Sequence, residues 1–303
     1  MAQVCHLVAT GIAKTLSKRT VLLTGASGQI GVFLIPRLLS AGFRVLAISR
    51  QGRPEGYLEK EQLEWLTSVD QAQADESFEY LVSAGPLALA LRCLNADNQI
   101  RSAVIFSSSS VITKQDSANS SERKQIQGML RIESELESLT GSKAVKMVML
   151  RPTMIYGCGL DTNISRLADW IHRLGFIPVN GKASGLRQPV HADDLAAAAV
   201  MALLAEDPLP RSLILAGGST LSYADMVARI FSAVGKPARL FHLPQWLFVM
   251  LVNLLPGSGI NSEMVRRQSD DLVFDDRQAR ELLAYKPRPF RPATSDFSLP
   301  SFD

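Results

Sequence analysis

Val21-Leu22-Leu23-Thr24-Gly25-Ala26-Ser27-Gly28-Gln29-Ile30-Gly31 runs an apolar, β-branched stretch into three evenly spaced glycines. A strand that ends at Gly25 can turn sharply, Gly28 leaves room for a pyrophosphate against the backbone, and Gly31 lets the next helix pack closely on the sheet. The anion then lies at a helix N-terminus, where unpaired N–H groups and the positive end of the dipole favour it without a lysine. Val32-Phe33-Leu34-Ile35-Pro36-Arg37-Leu38-Leu39 has helical rhythm and closes at Ala41-Gly42, and a second apolar run, Arg44 to Arg50, follows at once. The unit reads as βαβ with a dinucleotide at its first turn. Glycines that only tighten a strand-to-helix junction are the alternative, which the flanking pattern disfavours.

The chain has 303 residues, 47% hydrophobic and 20% charged. That suits a single α/β body with a smaller lobe and excludes a disordered chain. A net charge of +3 without a basic tract gives no argument for nucleic acid or an acidic membrane surface. Cys5, Cys93 and Cys158 lie far apart and form no C-x-x-C pair, so neither a disulfide framework nor a metal site is indicated, and a reducing cytoplasm fits. Residues 1–19 lack the apolar core and cleavage site of a secretory signal and read as an N-terminal extension. The most apolar later stretch, Trp246 to Leu255, is about half the ~20 residues needed to span a bilayer, so no stable membrane insertion is expected. It reads as a buried or pocket-capping helix, with a membrane-surface helix as the alternative.

Further strand-like runs recur at Leu63 to Leu66, Phe78 to Ser83, Ala103 to Ser107 and Val145 to Leu150, mostly separated by helical patterns. Parallel pairs demand crossovers, which predicts a doubly wound parallel sheet with helices on both faces and a ligand beyond the strand C-termini. The segment after Arg50 is too short for full crossover helices, and Gly52, Pro54 and Gly56 favour loop there. Beyond Pro152, helices are predicted at Ile164 to Leu174, Asp193 to Ala205 and Tyr223 to Val234, with a short strand at Leu213 to Ala216. The organisation expected is a dinucleotide-binding domain over residues 20–157 and a smaller C-terminal α/β substrate lobe over 158–303, interleaved as one body.

At the end of the second strand, where an NAD-selecting protein would place an acid, the chain offers Ser49-Arg50-Gln51-Gly52-Arg53. Two guanidinium groups and a hydroxyl suit a 2′-phosphate, which favours NADP over NAD. Solvated loop arginines are the alternative.

Together these segments resemble the extended short-chain dehydrogenase/reductases, in the NAD(P)-dependent epimerase/dehydratase family. The resemblance rests on Thr24 to Gly31, on Phe106-Ser-Ser-Ser-Ser-Val111, on Arg151-Pro-Thr-Met-Ile-Tyr-Gly157, on Arg187-Gln-Pro-Val-His-Ala-Asp-Asp-Leu-Ala196 and on the closing segment Ala279 to Arg288. It implies a Rossmann fold and cofactor contacts from Gly25, Ser27, Gly28, Gln29, Ile30, Gly31, Ser49, Arg50, Arg53, Ser107, Arg131 and Pro152. It also implies a nucleotide sugar or related alcohol as substrate, handled by a Ser/Thr, a Tyr and a Lys, with the tyrosine as acid/base.

Ser108 matches the family hydroxyl, with polar turn as the other reading of its serine run. No tyrosine lies between Ser108 and Leu150. Laying the helix over the family's Tyr-Gly-x-Ser-Lys-x-x-x-Glu puts Gln127 at the tyrosine, Arg131 at the lysine and Glu135 at the glutamate. A glutamine amide has no proton to exchange near neutral pH, and an arginine keeps its charge but does not deprotonate. Ser108, Gln127 and Arg131 are therefore the degenerate catalytic positions. Glu122, Arg123 and Lys124 are candidates to substitute, although at a helix start they read more simply as a solvated face.

In the smaller lobe, Arg187 and Arg267 resemble the arginines that clamp a diphosphate, with Arg266 as an alternative to Arg267. His191, Asp193 and Asp194 read as a structural turn in which Asp193 caps the following helix. The resemblance also implies pairing of two chains through the helix Ser121 to Leu139. Its apolar positions Ile126, Met129, Leu130, Ile132, Leu136 and Leu139 face either a partner or the sheet. Two functions follow: hydride transfer or epimerisation on a nucleotide-sugar-like alcohol or carbonyl with an unusual proton relay, or a catalytically inactive NADP-binding sensor or scaffold.

Overall fold

Apolar runs without alternation belong to strands covered on both faces, and Val21, Leu22 and Leu23 are each fully buried. In the computed structural model, which describes residues 19–300 except 55, 58–59, 76–77, 97–98, 255–264 and 266, they lie in an interior strand of a seven-stranded parallel sheet. All of the expected N-terminal extension but its last residue lies outside the described residues.

The elements run β1 (Thr20–Thr24), α1 (Gly31–Ser40), β2 (Arg44–Ile48), β3 (Leu63–Leu66), α2 (Val69–Asp75), β4 (Tyr80–Ser83), α3 (Leu87–Ala96), β5 (Ser102–Phe106), α4 (Ser110–Thr113), α5 (Ser120–Ser142) and β6 (Lys146–Pro152). Then follow β7 (Ile155–Tyr156), α6 (Ile164–Leu174), β8 (Ile177–Asn180), β9 (Leu186–Arg187), β10 (Val190–His191), α7 (Ala192–Leu204) and β11 (Ser212–Leu215). The last are β12 (Leu221–Ser222), α8 (Tyr223–Ala233), β13 (Leu240–Leu243), α9 (Gln245–Leu254) and α10 (Arg277–Leu283). As expected from the turn residues, no helix occurs among the described residues between β2 and β3.

The sheet order is β3-β2-β1-β4-β5-β6-β11, so the direction of winding reverses between β1 and β4. Such a reversal opens a crevice beyond the strand C-termini. Alternate residues face opposite layers. Val21 and Leu23 pack toward α1, α7 and α10, while Leu22 packs with Leu94 of α3 and Leu136 of α5. After Gly157 the chain returns to the sheet: β11 extends it beside β6, and α7 lies against α1. What remains outside is a layer around Tyr156, Ile171, Ile230 and Phe290, formed by α6, α8 and β8.

Glu133 fixes α5 against this sheet. Its carboxylate is almost fully buried, receives the Ser107 hydroxyl at the end of β5 and pairs with the Arg151 guanidinium on β6 at 2.5 Å. Ile126, Leu136 and Thr140 are the other fully buried positions of the helix. Met129, Ile132 and Leu139 are half-buried against the sheet's core, so five of the six apolar candidates for a partner face, all but Leu130, turn to the chain's own interior.

Removing one member of a buried pair leaves the other charge uncompensated. Glu133→Ala should therefore lower stability by about 3–5 kcal/mol in urea unfolding. Glu133→Gln, which keeps hydrogen-bonding capacity, should cost less; equal and negligible losses for both would contradict this role.

Candidate functional site

The β1–α1 turn is held by close backbone approach. Gly25 has φ +72°, and a Cβ there would lie 2.5 Å from the Gly85 nitrogen, at the end of β4. Gly31 likewise has no room for a Cβ, which would press on the carbonyl of Ala26 at 2.5 Å. The first turn of α1 has no side-chain cap: Ile30 stands at the N-cap position. Orphan amide donors at a helix start are what an anion satisfies. The side-chain nitrogen of Gln29 is also buried without a partner in the chain. The turn therefore fits a dinucleotide's pyrophosphate, with Ser27 exposed at its rim and Gly28 half-buried.

At the end of β2, Ser49 is buried and its amide donates to Leu66 across the sheet, while Arg50 and Arg53 are exposed. Across the reversal point, Ser107 is occupied by Glu133, and the Ser108 hydroxyl accepts from the Ser110 amide at 3.1 Å. Pro152, buried at the end of β6, accepts from the Ser109 amide at 3.1 Å. The serine run is thus tied to β6 through its backbone.

The structure does not bring Gln127 and Arg131 to this place. Both are exposed on the outer side of α5, and Arg131, 77% exposed, pairs with Glu135 at 3.7 Å. The physical reason is the register set by Glu133. With that residue as the inward glutamate, the family pattern shifts by two positions, placing Gln125 at the tyrosine and Met129 at the lysine. A proton-exchanging pair is missing in either register. The shift was hidden because Glu133 and Glu135 are indistinguishable by spacing until burial separates them.

A cavity of about 180 Å³ lies between the sheet's C-terminal edge and the outer layer. Its cationic lining is formed by Lys114, Arg166, Arg187 and Arg267, and its apolar lining includes Met154, Leu167, Trp170, Ile177, Phe248 and Leu272. Arg187, on β9, is 4% exposed; it donates to the carbonyls of Leu186, Asp270 and Arg267 and lies over the Tyr223 ring at 5.7 Å. Burial pushes its pKa down, with Tyr223, Asp270 and Asp271 opposing. Burial also raises the Tyr223 hydroxyl to about 12, which makes it unsuited as a base near neutral pH. Arg187 and Arg267 therefore line the same cavity, while Arg266 lies outside the described residues.

Arg267 donates to both carboxylate oxygens of Glu122, at 2.9 and 2.6 Å, and to the Ser117 hydroxyl at 3.1 Å. Lys114 pairs with the same carboxylate at 2.7 Å, and Ser117 donates to it at 2.6 Å. The Arg267 hydrogen bond chiefly holds Glu122 well below the usual carboxylate range, against burial and with help from Lys114 and Ser117. Glu122 is thus not part of a solvated face. Asn119 caps α5 through the amides of Ser121 and Glu122, which aims this first turn inward. Sequence reasoning named Glu122 but could not see Arg267, 145 positions later, closing on it.

The His191 turn also differs from expectation. His191 itself caps α7, accepting from the Asp193 amide at 3.0 Å. Asp193 instead binds Arg37 and Arg288, each at 2.7 Å, and these bonds lower its pKa despite the opposing effect of burial. Asp194 also pairs with Arg288. The cluster ties α1, α7 and the closing segment together. No group of three or more metal-ligating side chains is found among the described residues.

The family model for the NAD dependent epimerase/dehydratase family matches residues 21–90. The UDP-glucose 4-epimerase of Vibrio cholerae is 24% identical over 155 residues, which are 51% of this chain and 46% of that enzyme. An uncharacterised protein of Mycobacterium tuberculosis is 28% identical over 72% of this chain but only 23% of its own length. The matched stretch thus spans less than half of either relative. Among solved structures, epimerase Mth375 of Methanothermobacter thermautotrophicus superposes with a TM-score of 0.70 at 18% identity, covering 90% of this chain and 89% of that one. The Thermotoga maritima UDP-glucose 4-epimerase, solved with UDP-glucose, gives 0.66 at 14% identity over 92% and 96%. MoeE5, in complex with UDP-glucose and NAD, gives 0.65 at 21% identity over 89% and 94%.

Because Glu122 is ionised more easily in the folded chain than its ordinary value of 4.5, its stabilising contribution is complete above that pH and is lost as pH falls below it. Glu122→Gln should cost roughly 1–3 kcal/mol near neutral pH and make the acid limb of a stability–pH curve shallower. An unchanged acid limb would contradict the network.

Proposed function

We propose that the chain is a member of the NAD dependent epimerase/dehydratase family, whose model matches residues 21–90, and that it holds a nicotinamide dinucleotide at the β1–α1 turn and a nucleotide-diphosphate sugar in the adjoining cavity. The carrying observation is the convergence of Arg187 and Arg267 on one cavity, whose apolar side chains suit the flat face of a base or sugar. UDP-glucose in the Thermotoga maritima enzyme, and UDP-glucose with NAD in MoeE5, support the ligand class.

Gly25, Gly28 and Gly31 admit the pyrophosphate to the backbone, Ser27, Gln29 and Ile30 line it, and Ser107 and Pro152 border the nicotinamide end. Arg50 and Arg53 favour NADP over NAD by pairing with a 2′-phosphate. When bound, the cofactor supplies reversible hydride transfer. The chain's own part is to orient the sugar through the two arginines and to hold a reacting oxygen at the Ser108 hydroxyl. In this reading the substrate's proton leaves through water, because neither Gln127 nor Arg131, nor Gln125 or Met129, can exchange it.

The same replacement favours a second reading, a dinucleotide-dependent sensor that binds without turnover. Titration calorimetry with NADPH and NADH, followed by a turnover panel of nucleotide sugars, separates them. Binding with slow epimerisation or cofactor reduction supports the enzyme; tight binding without turnover supports the sensor; no uptake of either dinucleotide at millimolar concentration overturns both. Arg50→Ala with Arg53→Ala should weaken NADPH by about tenfold or more while leaving NADH nearly unchanged. Arg187→Ala should weaken a UDP-sugar by a similar factor without altering dinucleotide affinity.

A further inference from the structure

Helix α9, Gln-Trp-Leu-Phe-Val-Met-Leu-Val-Asn-Leu, carries no charged residue, and part of its first half is exposed. Phe248 is buried and forms part of the cavity wall, whereas Trp246 and Met250, one turn apart on the helix, are 69% and 46% exposed. The apolar surface continues onto the neighbouring pair of strands. Leu247 and Phe248 donate to Pro244, so α9 starts directly from β13. β13 pairs in parallel with β8, and Phe241 packs edge-on against Phe176, both exposed, with ring centres 5.0 Å apart.

The two stretches that build this surface carry basic but no acidic side chains. No Asp or Glu occurs between Asp169 and Asp193, or between Asp225 and Glu263. Arg173, Lys182 and Arg239 from these stretches are exposed. Arg239 adjoins the first residue of β13 and accepts from the Ile177 amide. Lys182 follows Gly181, whose carbonyl meets the His242 ring at 2.7 Å. The whole-chain charge of +3 conceals this local imbalance, because the acids lie elsewhere in the sequence.

We propose that the face formed by α9, β13 and β8 docks reversibly on an anionic membrane surface. Tryptophan and phenylalanine side chains enter the boundary between headgroups and acyl chains, while lysine and arginine stay with anionic headgroups. The segment engages the surface without crossing it: no helix among the described residues is long and apolar enough to span a bilayer. A second copy is the weaker occupant, because a two-fold contact would bring the exposed Arg173, Lys182 and Arg239 of one chain toward the same residues of the other. α9 presents Phe248 to the cavity and Trp246 to the outside, so docking places the cavity beside the bilayer.

The full chain is tested by flotation with phosphatidylcholine vesicles containing or lacking phosphatidylglycerol. Flotation with the anionic vesicles, its loss at raised salt, and a blue shift of tryptophan emission that disappears in Trp246→Phe are expected. Trp246→Ser with Met250→Ser, and Lys182→Glu with Arg239→Glu, should each reduce partitioning by about tenfold or more while the unfolding midpoint stays unchanged. Absence of flotation, or flotation indifferent to both pairs, overturns the proposal. Sedimentation as a dimer that either pair disperses, without vesicle binding, assigns the face to a second copy and overturns it as well.

Discussion

The buried carboxylate of Glu133 decides what the rest of the site can be. By accepting from Ser107 on β5 and pairing with Arg151 on β6, it fixes both the rotation and the height of α5 against the C-terminal edge of the sheet. A helix that must satisfy that carboxylate cannot also turn Gln127 and Arg131 inward, since these lie on its opposite side. The two partners lie on adjacent strands, so the same contact ties the helix to the sheet register. A buried charge in this position tolerates no nearby alternative packing without loss of its hydrogen bonds.

Two separate anion-favouring features meet around the crevice created by the sheet's reversal. At the β1–α1 turn, the attraction comes from a helix start without a side-chain cap, and the glycines matter because any Cβ at Gly25 or Gly31 would strike neighbouring backbone. At the cavity wall the attraction comes from side-chain charge. There Glu122 offsets Lys114 and Arg267 and keeps both in place, which preorganises the wall at the cost of part of its positive potential. Arg187 differs: carbonyl oxygens fix it, so its charge is left without a carboxylate partner of its own among the bonds that hold it. This division of labour suits recognition of a diphosphate more directly than it suits proton transfer, because Glu122 is held well below the usual carboxylate range by Arg267 and burial raises the Tyr223 hydroxyl to about 12.

The outer layer is bound to the sheet by charge as well as by apolar packing. Arg288 reaches Asp193 and Asp194, Arg37 reaches Asp193 from α1, and the Tyr285 hydroxyl donates to Ala216 at the end of the β11 edge at 2.8 Å. These contacts link the closing segment to the first helix of the fold. They also explain why His191 and its aspartates, which look like a reactive cluster in one dimension, serve as a joint: each acid is already committed to a guanidinium.

Local periodicity and turn chemistry determined the βαβ opening, the strands from Thr20 to Pro152, the missing helix after Ile48 and the helices near Ile164, Ala192 and Tyr223. Those features depend on residues a few positions apart, whose spacing a linear chain displays. The sequence likewise established that no tyrosine stands where the family would place one, since absence of a residue type is independent of folding. Tertiary structure alone decided the rotation of α5, the capping of α7 by His191 in place of Asp193, and the meeting of Glu122 with Arg267. Each of those is settled by burial or by pairing between distant segments, where two equally spaced residues become unequal only once one of them is taken out of water.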